Sequence, residues 1–486
     1  MRTIALSLAF AITLVATAFD ASAGEPTRRD KIGQMLMVGF LGDGTDHDWF
    51  RSVLGQVSDG KIGGVLYLKR NIAGRKSVQA MNEALVAAAG DRAQPLIGID
   101  QEGGYIQRLT ERVGFPSVPT ARTIAARTDP RAAYETYSEL GRHLRNWGFN
   151  LNLGPVVDLN VNPRNPIIGR LGRSFSADPD VVVQYAAAFI NGHRKAGLLT
   201  AIKHFPGHGS SVGDSHKGLV DVTDTWTEAE LEPFRRLIRE GKADIVMTAH
   251  VRNAKLQADG DRDPASLSKA AIQGVLRGKL GFDRVVISDD MQMAGVADLH
   301  GLRQRVLRAV LAGTDVLIFA NDKNPDLRIP EKVIDILDAE AAERPEVAAR
   351  IDESYLRIIR LKRDLAIRVP ASGGALQPAR PLTTRSILPA TPLSTPLSMP
   401  QAEPLALPVE PVTARGEPVD GDGPVTIVTP QVMAAMIRDT RLVVELDDTT
   451  TGAVAGAPGA KPGLFPGAWR VFHGVGVPLG NDRRGV

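Results

Sequence analysis

An α/β fold built around a closed barrel of parallel strands is the architecture that this sequence predicts. Between about residues 30 and 367, short apolar runs alternate with longer stretches of helical pattern, as expected of repeated β-α units. Eight such runs occur, which is the number of strands that closes a parallel barrel. The unusual polar residues follow the ends of these runs, where barrel enzymes place their chemistry. We therefore predict a TIM-type (β/α)8 barrel over residues 24–369 rather than an open doubly wound sheet.

The predicted strands are short, apolar in the middle and bounded by polar or turn-forming residues. They are Gln34–Phe40, Gly63–Leu68, Leu96–Asp100, Asn150–Val157, Leu199–His204, Asp244–His250, Arg284–Asp289 and Asp315–Ala320. Helical patterns fill the intervals between them, for example Pro179–Ala196, Thr227–Glu240 and Ser268–Leu280.

Capping residues predict where some of these helices begin and end. Thr227 is followed three residues later by Glu230, the spacing of a capping box in which each side chain binds the backbone N–H of the other residue. Ser268 is predicted to cap the next helix, and Gly281 stands where that helix should stop. On this pattern, the Glu230 side chain is expected to lie at the start of its own helix.

The N-terminus has the pattern of an export signal. Arg2 precedes the apolar core Ile4–Ala18, and the small-x-small pattern Ala21-Ser22-Ala23 follows it. We predict that residues 1–23 are a signal peptide cleaved before Gly24, and that the mature protein is periplasmic or secreted. An uncleaved anchor helix is the alternative, which Asp20 disfavours because it interrupts the apolar run.

The composition changes after residue 368. Residues 370–424 are dense in Pro and have no helical or strand period, which predicts an extended linker or a disordered tail. Residues 425–486 contain one weak strand, helix and strand pattern at Val425–Val428, Gln431–Arg438 and Arg441–Leu446. No fold is predicted for this last segment as a whole.

Charge and cysteine content exclude several classes of function. The formal net charge is +3 with 23% charged residues, so nucleic acid is not an expected partner. The chain has no cysteine, which excludes disulfides, thiol catalysis, thiolate metal sites and a lipidated cysteine anchor. After the signal segment, no stretch is long and apolar enough to predict a membrane span.

The stretch Lys203–His216 is the strongest candidate for chemistry. It follows the predicted strand Leu199–His204 and then contains Pro206 and several glycines, which forbid a helix and predict a loop. The loop ends in Asp214-Ser215-His216. A carboxylate beside an imidazole selects its tautomer and raises its basicity, so this pair is predicted to act as a general acid and base.

A zinc site is the alternative for the same stretch, because His204, His208, Asp214 and His216 are all potential ligands. The spacing of His204 and His208 needs a helix to bring the two rings together, and Pro206 prevents that helix. We therefore predict proton transfer and no metal. His250, at the end of the next apolar run, is expected to be a structural residue.

A second candidate is the stretch Ile97–Gly104, which is followed by Arg108. An acidic pair after a strand, with Gly103-Gly104 allowing close backbone approach, suits recognition of sugar hydroxyls, although a purely structural helix cap has the same pattern. Arg173 is a weaker candidate. It follows the long polar loop after Asp158, and long loops in barrels are usually functional.

The third candidate is the pair Asp289-Asp290 at the end of the run Arg284–Met293. Neighbouring residues of a strand point to opposite faces, so only one of the two carboxylates can enter the mouth of the barrel. A carboxylate there could be a nucleophile, a base or a metal ligand. Taken singly, an Asp after a strand is more often a cap.

Three of these motifs together resemble a known family. The segments 203–208 with 214–216, 100–104 with Arg108, and Ile287-Ser288-Asp289 are similar to the bacterial β-N-acetylglucosaminidases (β-N-acetylhexosaminidases) of glycoside hydrolase family 3. The resemblance covers roughly residues 30–367. Its most specific part is the Asp-x-His loop, because β-glucosidases of that family lack the loop and take their acid from a second domain. The resemblance implies a (β/α)8 barrel and a retaining mechanism.

The resemblance also implies a role for each candidate residue. Asp289 would be the nucleophile, His216 the acid/base and Asp214 the partner that orients His216. The N-acetylglucosamine ring would be held by Asp100, Arg108, Arg173, Lys203 and His204.

The expected activity is release of terminal β-linked N-acetylglucosamine from peptidoglycan fragments or chitooligosaccharides, by a monomer that needs no cofactor. One alternative is a β-glucosidase or β-xylosidase on the same barrel. The other is a sugar-binding protein that has lost catalysis. The presence of Asp289, Asp214 and His216 argues against such a loss.

Overall fold

Eight parallel strands form a closed barrel in which each strand pairs with the next along the chain and the last pairs with the first. The computed structural model describes residues 25–368 and the backbone of four short strands nearer the C-terminus. The barrel strands are β1 (Leu36–Gly39), β2 (Gly64–Tyr67), β3 (Leu96–Ile99), β4 (Leu151–Asn152), β5 (Leu199–Phe205), β6 (Ile245–Thr248), β7 (Val285–Asp290) and β8 (Val316–Phe319). Each falls on one of the predicted runs, so the predicted barrel is confirmed.

The strand β4 is shorter than predicted. Pro155 has no backbone N–H to donate, so the regular ladder ends before it. The chain pairs again only at Val156, through an isolated bridge to Lys203.

Helices surround the barrel, and most follow a strand. They are α1 (Arg28–Gln34), α2 (Asp48–Ser58), α3 (Arg75–Ala89), α4 (Ala121–Arg127), α5 (Pro130–Asn146), α6 (Pro179–Lys195), α7 (Glu232–Arg239), α8 (Ala294–Ala297), α9 (Leu302–Ala312), α10 (Ile329–Glu343) and α11 (Pro345–Arg368). The segment Ala270–Lys279 is a helix with wider, π-type turns. Short 3-10 turns and two-stranded ladders occur in the loops, including the hairpin Gln101–Gly103 with Ile106–Gln107 after β3.

Local sequence explains why two of the long helices begin where they do. Asp129 precedes Pro130, and its side chain accepts a hydrogen bond from the Ala132 N–H at 2.8 Å. Asp178 precedes Pro179 in the same way and caps α6. The Asp satisfies an N–H of the first turn, while the Pro needs no partner there and has the φ angle of a helix.

The predicted capping box at Thr227 is wrong. A 3-10 turn, Glu228–Leu231, begins there and leads into α7, but the Thr227 side chain makes no capping hydrogen bond. The Glu230 carboxylate instead leaves its own turn and binds a different loop, described below. The predicted boundaries of the helix Ser268–Leu280 agree with the structure. Ser268 Oγ accepts from the Ala271 N–H at 3.4 Å, and Gly281, just after the helix, has a φ of +70°.

The interior of the barrel is packed rather than open. All residues of β1, β2 and β3 are buried, as expected for strands covered on both faces. Met37 fills space beside two glycines of neighbouring strands: a Cβ atom at Gly64 would lie 3.0 Å from Met37 Cε, and one at Gly98 would lie 3.4 Å from it. Met37 on β1 thus packs against β2 and also against β3, which is not its neighbour in the barrel.

The C-terminal segment contributes two antiparallel hairpins to the described chain. Val443–Leu446 pairs with Gly452–Ala455, and Ala468–Phe472 pairs with Val475–Leu479. Val443–Leu446 falls within the predicted strand Arg441–Leu446. The predicted signal peptide, the Pro-rich segment 370–424 and the elements predicted at Val425–Val428 and Gln431–Arg438 lie outside the described residues. Among the helices that the structure describes, we find none with the length and apolar character needed to cross a membrane.

Candidate active site

The polar residues singled out by the sequence lie at one end of the barrel. Asp100 directly follows β3, Lys203 and His204 lie in the last part of β5, and Asp289 lies near the end of β7. Since the carboxyl ends of parallel strands meet at the same rim, residues from distant parts of the sequence come together there.

A buried ionic network joins the loop after β3 to β5. Lys203 Nζ lies 2.8 Å from Asp100 Oδ1 and 2.7 Å from Glu102 Oε1. Arg173 binds both oxygens of Glu102, with Nε donating to Oε2 at 2.9 Å and Nη2 donating to Oε1 at 2.8 Å. Arg108 Nη2 lies 3.2 Å from Asp100 Oδ2. Four of the predicted binding residues are thus brought together, with Glu102 linking two of them.

The groups of this network are held in their charged forms. Burial by itself would raise the pKa of Asp100 and of Glu102, but the neighbouring cations outweigh burial and lower both pKa values. For Lys203, the two carboxylates outweigh burial, and the pKa is raised. Charged donors and acceptors fixed in this way offer strong, oriented hydrogen bonds to the hydroxyl groups of a sugar.

Asp158 binds the end of β5 and the first part of the loop that follows it. Its carboxylate is fully buried and lies 2.6 Å from His204 Nδ1 through Oδ2. Its other oxygen accepts from the His208 N–H at 2.8 Å. Burial opposes ionisation, but the charge and hydrogen bond of His204 lower the pKa of Asp158. The ring of His204 is thereby oriented, and its Nε2 lies 3.4 Å from Arg173 Nη2.

The predicted acid/base pair lies on the loop after β5. His216 Nδ1 is 2.8 Å from Asp214 Oδ1, and the same oxygen accepts from the His216 N–H at 2.9 Å. The side chain of His216 is 55% exposed and that of Asp214 is 19% exposed. Because Asp214 occupies Nδ1, proton exchange between this imidazole and a substrate would use Nε2.

The two adjacent carboxylates on β7 face different surroundings. Asp290 Oδ1 accepts from the backbone N–H of Gln292 and of Ala320, both at 3.0 Å. Burial, opposed by these hydrogen bonds, raises the pKa of Asp290 to about 6.

Asp289 lies within the electrostatic reach of three histidines. Burial would raise the pKa of Asp289, but the charges of His250, His204 and His216 outweigh burial and lower it. Of the two carboxylates, Asp289 is therefore the one that the three imidazoles influence most, whereas the Asp290 side chain binds backbone N–H groups.

His250 lies beneath this pair. It is fully buried, with Nδ1 2.7 Å from Ser266 Oγ and Nε2 3.0 Å from the carbonyl oxygen of Asp290. Burial lowers the pKa of His250. Both ring nitrogens are hydrogen-bonded to the protein, which suits the structural role expected for it.

The geometry does not favour the zinc alternative. His204 Nδ1 is bound to Asp158, and the nitrogens of His208 lie 2.6 Å from Ser211 Oγ and 3.1 Å from Ser215 Oγ. Within residues 25–368, no group of three or more His, Asp and Glu side chains is arranged to hold a metal ion.

Three buried carboxylates that support the site were not among the predicted catalytic or binding residues, although Glu102 was noted as part of an acidic pair and Glu230 as part of a capping box. Glu102 and Asp158 come just after predicted strands, and Asp100 and Asp289 are the last residues of theirs, so the same signal could have found them. Glu230 carried no such signal. Its Oε2 accepts from the backbone N–H of Gly209 at 3.1 Å and of Ser210 at 3.3 Å, which anchors the first part of the loop after β5.

Comparison with known proteins identifies the family of this chain. The profile of the Glycosyl hydrolase family 3 N terminal domain matches residues 27–361. A Beta-hexosaminidase of Tolumonas auensis is 38% identical over 271 residues, covering 54% of this chain and 76% of that protein. A Beta-hexosaminidase of Xylella fastidiosa (strain M23) is 37% identical over 330 residues, covering 65% of this chain and 90% of that protein.

A solved structure extends the likeness to the fold. The glycoside hydrolase family 3 beta-N-acetylglucosaminidase from Paenibacillus sp. str. FPU-7 superposes with a TM-score of 0.65 at 32% identity, covering 74% of this chain and 67% of that chain. On the matched barrel and these identities, the chain belongs to glycosyl hydrolase family 3 and is a glycosidase.

Proposed function

We propose that this glycosidase releases terminal, non-reducing β-linked N-acetylglucosamine by a retaining mechanism, with Asp289 as nucleophile and His216 as acid/base. The observation that carries the proposal is the Asp214–His216 hydrogen bond on the loop after β5, together with the influence of the His216 charge on Asp289. The similarity to proteins named beta-hexosaminidase and beta-N-acetylglucosaminidase supports the choice of sugar.

In the first step, the ionised carboxylate of Asp289 attacks the anomeric carbon while His216 gives a proton to the leaving oxygen. Bond formation to Asp289 and cleavage of the glycosidic bond leave a covalent glycosyl-enzyme and a neutral alcohol. In the second step, the now neutral His216 takes a proton from water, the resulting hydroxide attacks the anomeric carbon, and Asp289 departs as a carboxylate.

An imidazole has two advantages over a second carboxylate in this role. Retaining glycosidases normally use two carboxyl groups about 5–5.5 Å apart, and their mutual repulsion is needed to keep one of them protonated. A neutral imidazole places no second anion beside Asp289. Its ordinary pKa of about 6.5 also needs less adjustment for work near neutral pH.

Substrate binding is assigned to the charged network at the rim. Asp100 and Lys203 provide an acceptor and a donor that are already fixed against each other, and Arg108 and Arg173 extend this surface on either side. His204, oriented by Asp158, completes the group. These side chains would bind the hydroxyl and acetamido groups of N-acetylglucosamine in peptidoglycan fragments or chitooligosaccharides.

The function is tested by comparing turnover of an aryl N-acetyl-β-glucosaminide with that of the matching aryl β-glucoside. Preference for the first supports the proposal, and preference for the glucoside would make the enzyme a β-glucosidase instead. Absence of turnover on both would favour a sugar-binding protein. Purified muropeptides against chitobiose would then separate the two classes of natural substrate.

We further propose that the protein is exported, on the strength of the charged start, the apolar core and the segment Ala21-Ser22-Ala23. The mature protein isolated from cells should then begin at or near Gly24. Recovery of intact Met1 on a cytoplasmic protein would overturn this.

A further inference from the structure

The middle residue of the Asp-Ser-His segment faces away from its two neighbours. Ser215 is 1% exposed, whereas the His216 side chain is 55% exposed and the Asp214 side chain 19% exposed. Ser215 Oγ lies 3.1 Å from His208 Nε2, and its carbonyl oxygen accepts from the Gly295 N–H at 3.2 Å. Ser215 makes both of the hydrogen bonds that join residues 214–216 to residues other than 214–217 in the described part of the chain.

His208 is a fixed point for this contact. It is 1% exposed, its backbone N–H donates to Asp158 Oδ1 at 2.8 Å, and its carbonyl oxygen accepts from Asn165 Nδ2 at 2.7 Å. Its Nδ1 lies 2.6 Å from Ser211 Oγ. The backbone of His208 is therefore held by Asp158 and Asn165, from the loop after β4, and its ring is held by Ser211.

The ring of His208 suits two serine partners at once. A neutral imidazole has one donor and one acceptor nitrogen, and a hydroxyl group can serve as either. Burial, aided by the charge of His204, lowers the pKa of His208 to about 4, so the neutral ring prevails at neutral pH. Ser211 and Ser215 can thus be bound on opposite edges of one unchanged ring.

We propose that the Ser215–His208 hydrogen bond is a positioning device that fixes the Asp214–His216 pair over Asp289. Ser215 and His208 touch neither the substrate nor the transferred proton. They act through the short backbone link between Ser215 and its neighbours, which sets where the imidazole stands. This inference rests on the proposed function of His216.

Loss of the hydroxyl should therefore weaken proton transfer more than substrate binding. A displacement of about 1 Å in a catalytic group can cost roughly 10²-fold in rate. For Ser215→Ala we expect kcat on a glycoside with a poor leaving group to fall about tenfold to 10²-fold. KM should change little, since the binding network lies on other elements. An activated aryl glycoside, whose leaving group departs without a proton, should suffer less in its first step.

The experiment measures kcat and KM of the full chain on aryl N-acetyl-β-glucosaminides with graded leaving groups, for wild type, Ser215→Ala and Ser215→Thr. The matched control is Ser354→Ala, which removes another buried serine hydroxyl, bonded to Asp315 Oδ1 at 2.9 Å. Ser354 lies on α11, away from the rim. We expect a steeper dependence on leaving group for Ser215→Ala alone, with substantial recovery in Ser215→Thr.

The outcomes separate this inference from the function on which it rests. If wild type turns over and Ser215→Ala shows the same leaving-group dependence, the inference is overturned. It is also overturned if Ser215→Ala has a lower melting temperature than wild type but an unchanged kcat. Absence of wild-type turnover on N-acetylglucosaminides would overturn the proposed function itself. If Ser215→Ala is not recovered folded, His208→Asn removes the same hydrogen bond from the other side, and the same criterion applies.

Discussion

The backbone N–H of Asp290 donates to the carboxylate of Asp289 at 2.8 Å, while the carboxylate of Asp290 binds backbone N–H groups of Gln292 and Ala320 instead. Two chemically identical neighbours therefore have different tasks. Asp289 is left ionised near the imidazoles, and Asp290 ties the end of β7 to the loop after β8.

The first prediction concerns this pair. Asp289→Ala should abolish turnover, because it removes the carboxylate that attacks the anomeric carbon, and azide should restore part of the rate by attacking in its place. Asp290→Asn keeps an oxygen acceptor for Gln292 and Ala320 and should retain most of kcat. Steady-state kinetics of both variants test this. An essential Asp290 with a dispensable Asp289 would reverse the inward and outward assignment of the strand.

The second prediction concerns His216. His216→Ala should lose about 10²–10⁴-fold in kcat on glycosides with poor leaving groups, the range typical of a general acid. Activated aryl glycosides should react readily in the first step and then accumulate glycosyl-enzyme, because the base for the second step is absent. Rapid-mixing experiments should show a burst of phenolate. A uniform loss across leaving groups, without a burst, would make His216 a binding residue.

Asp214→Asn should follow the pattern of His216→Ala more weakly. The amide can still occupy the position of the carboxylate, but it no longer favours the imidazolium or the same tautomer. We expect the kcat of this variant to lie between those of wild type and His216→Ala on every leaving group. A loss as large as that of His216→Ala would mean that Asp214 itself takes part in proton transfer.

The third prediction is a pH dependence of stability that arises from Glu230. Burial and the charge of Asp158 raise the pKa of this carboxyl to about 7, against hydrogen bonds from Gly209 and Ser210 that oppose the rise. In an unfolded chain the pKa of Glu is about 4.3. Between these values the folded state binds more protons than the unfolded state. The Glu230 contribution to the free energy of unfolding is therefore present at low pH and is lost as the pH rises to about 7.

Glu230→Gln removes this titration and keeps an oxygen acceptor for Gly209 and Ser210. The free energy of unfolding of the variant minus that of wild type should be larger at pH 8 than at pH 5. The change in this difference is at most roughly 3 kcal/mol, since each unit of pKa shift corresponds to about 1.36 kcal/mol. Urea unfolding at both pH values measures the difference. Parallel pH dependences of the two proteins would contradict the assignment.

The fourth prediction is that no metal supports turnover. His204 Nδ1 is already hydrogen-bonded to Asp158, and the two ring nitrogens of His208 are hydrogen-bonded to Ser211 and Ser215. Activity should survive exhaustive dialysis against a chelator. A loss that added zinc restores would revive the metal alternative and make Asp289 a possible ligand.

The fifth prediction is that the barrel is sufficient. The family match ends at residue 361, and α11, the last helix described before the C-terminal strands, ends at Arg368. Truncation after residue 370 should leave the melting temperature and kcat close to those of the full chain, because a Pro-rich segment contributes little packed apolar area. A large fall in melting temperature would show that the removed part packs on the barrel, and residues 425–446 would be the first place to search.

Local pattern was enough to predict the barrel. A buried parallel strand is recognised by a short apolar run, and the eight runs in this chain became the eight strands of the barrel. The alternation of side chains along a strand predicted only that one of Asp289 and Asp290 enters the mouth of the barrel, and the choice of Asp289 came from the family resemblance. The hydrogen bond between Asp214 and His216 was likewise predictable, because only one residue separates them in the sequence.

Contacts between distant segments were decided only by the closed barrel. Nothing near Glu102 in the sequence indicates that it binds Arg173 and Lys203, and the pattern around Glu230 indicated a local cap rather than an anchor for Gly209 and Ser210. Secondary structure follows from residue periodicity over a few neighbours, so the sequence by itself determines it well. Partners of a buried charge are chosen by which groups the fold brings within about 3 Å after desolvation, and that depends on the position of every strand in the ring.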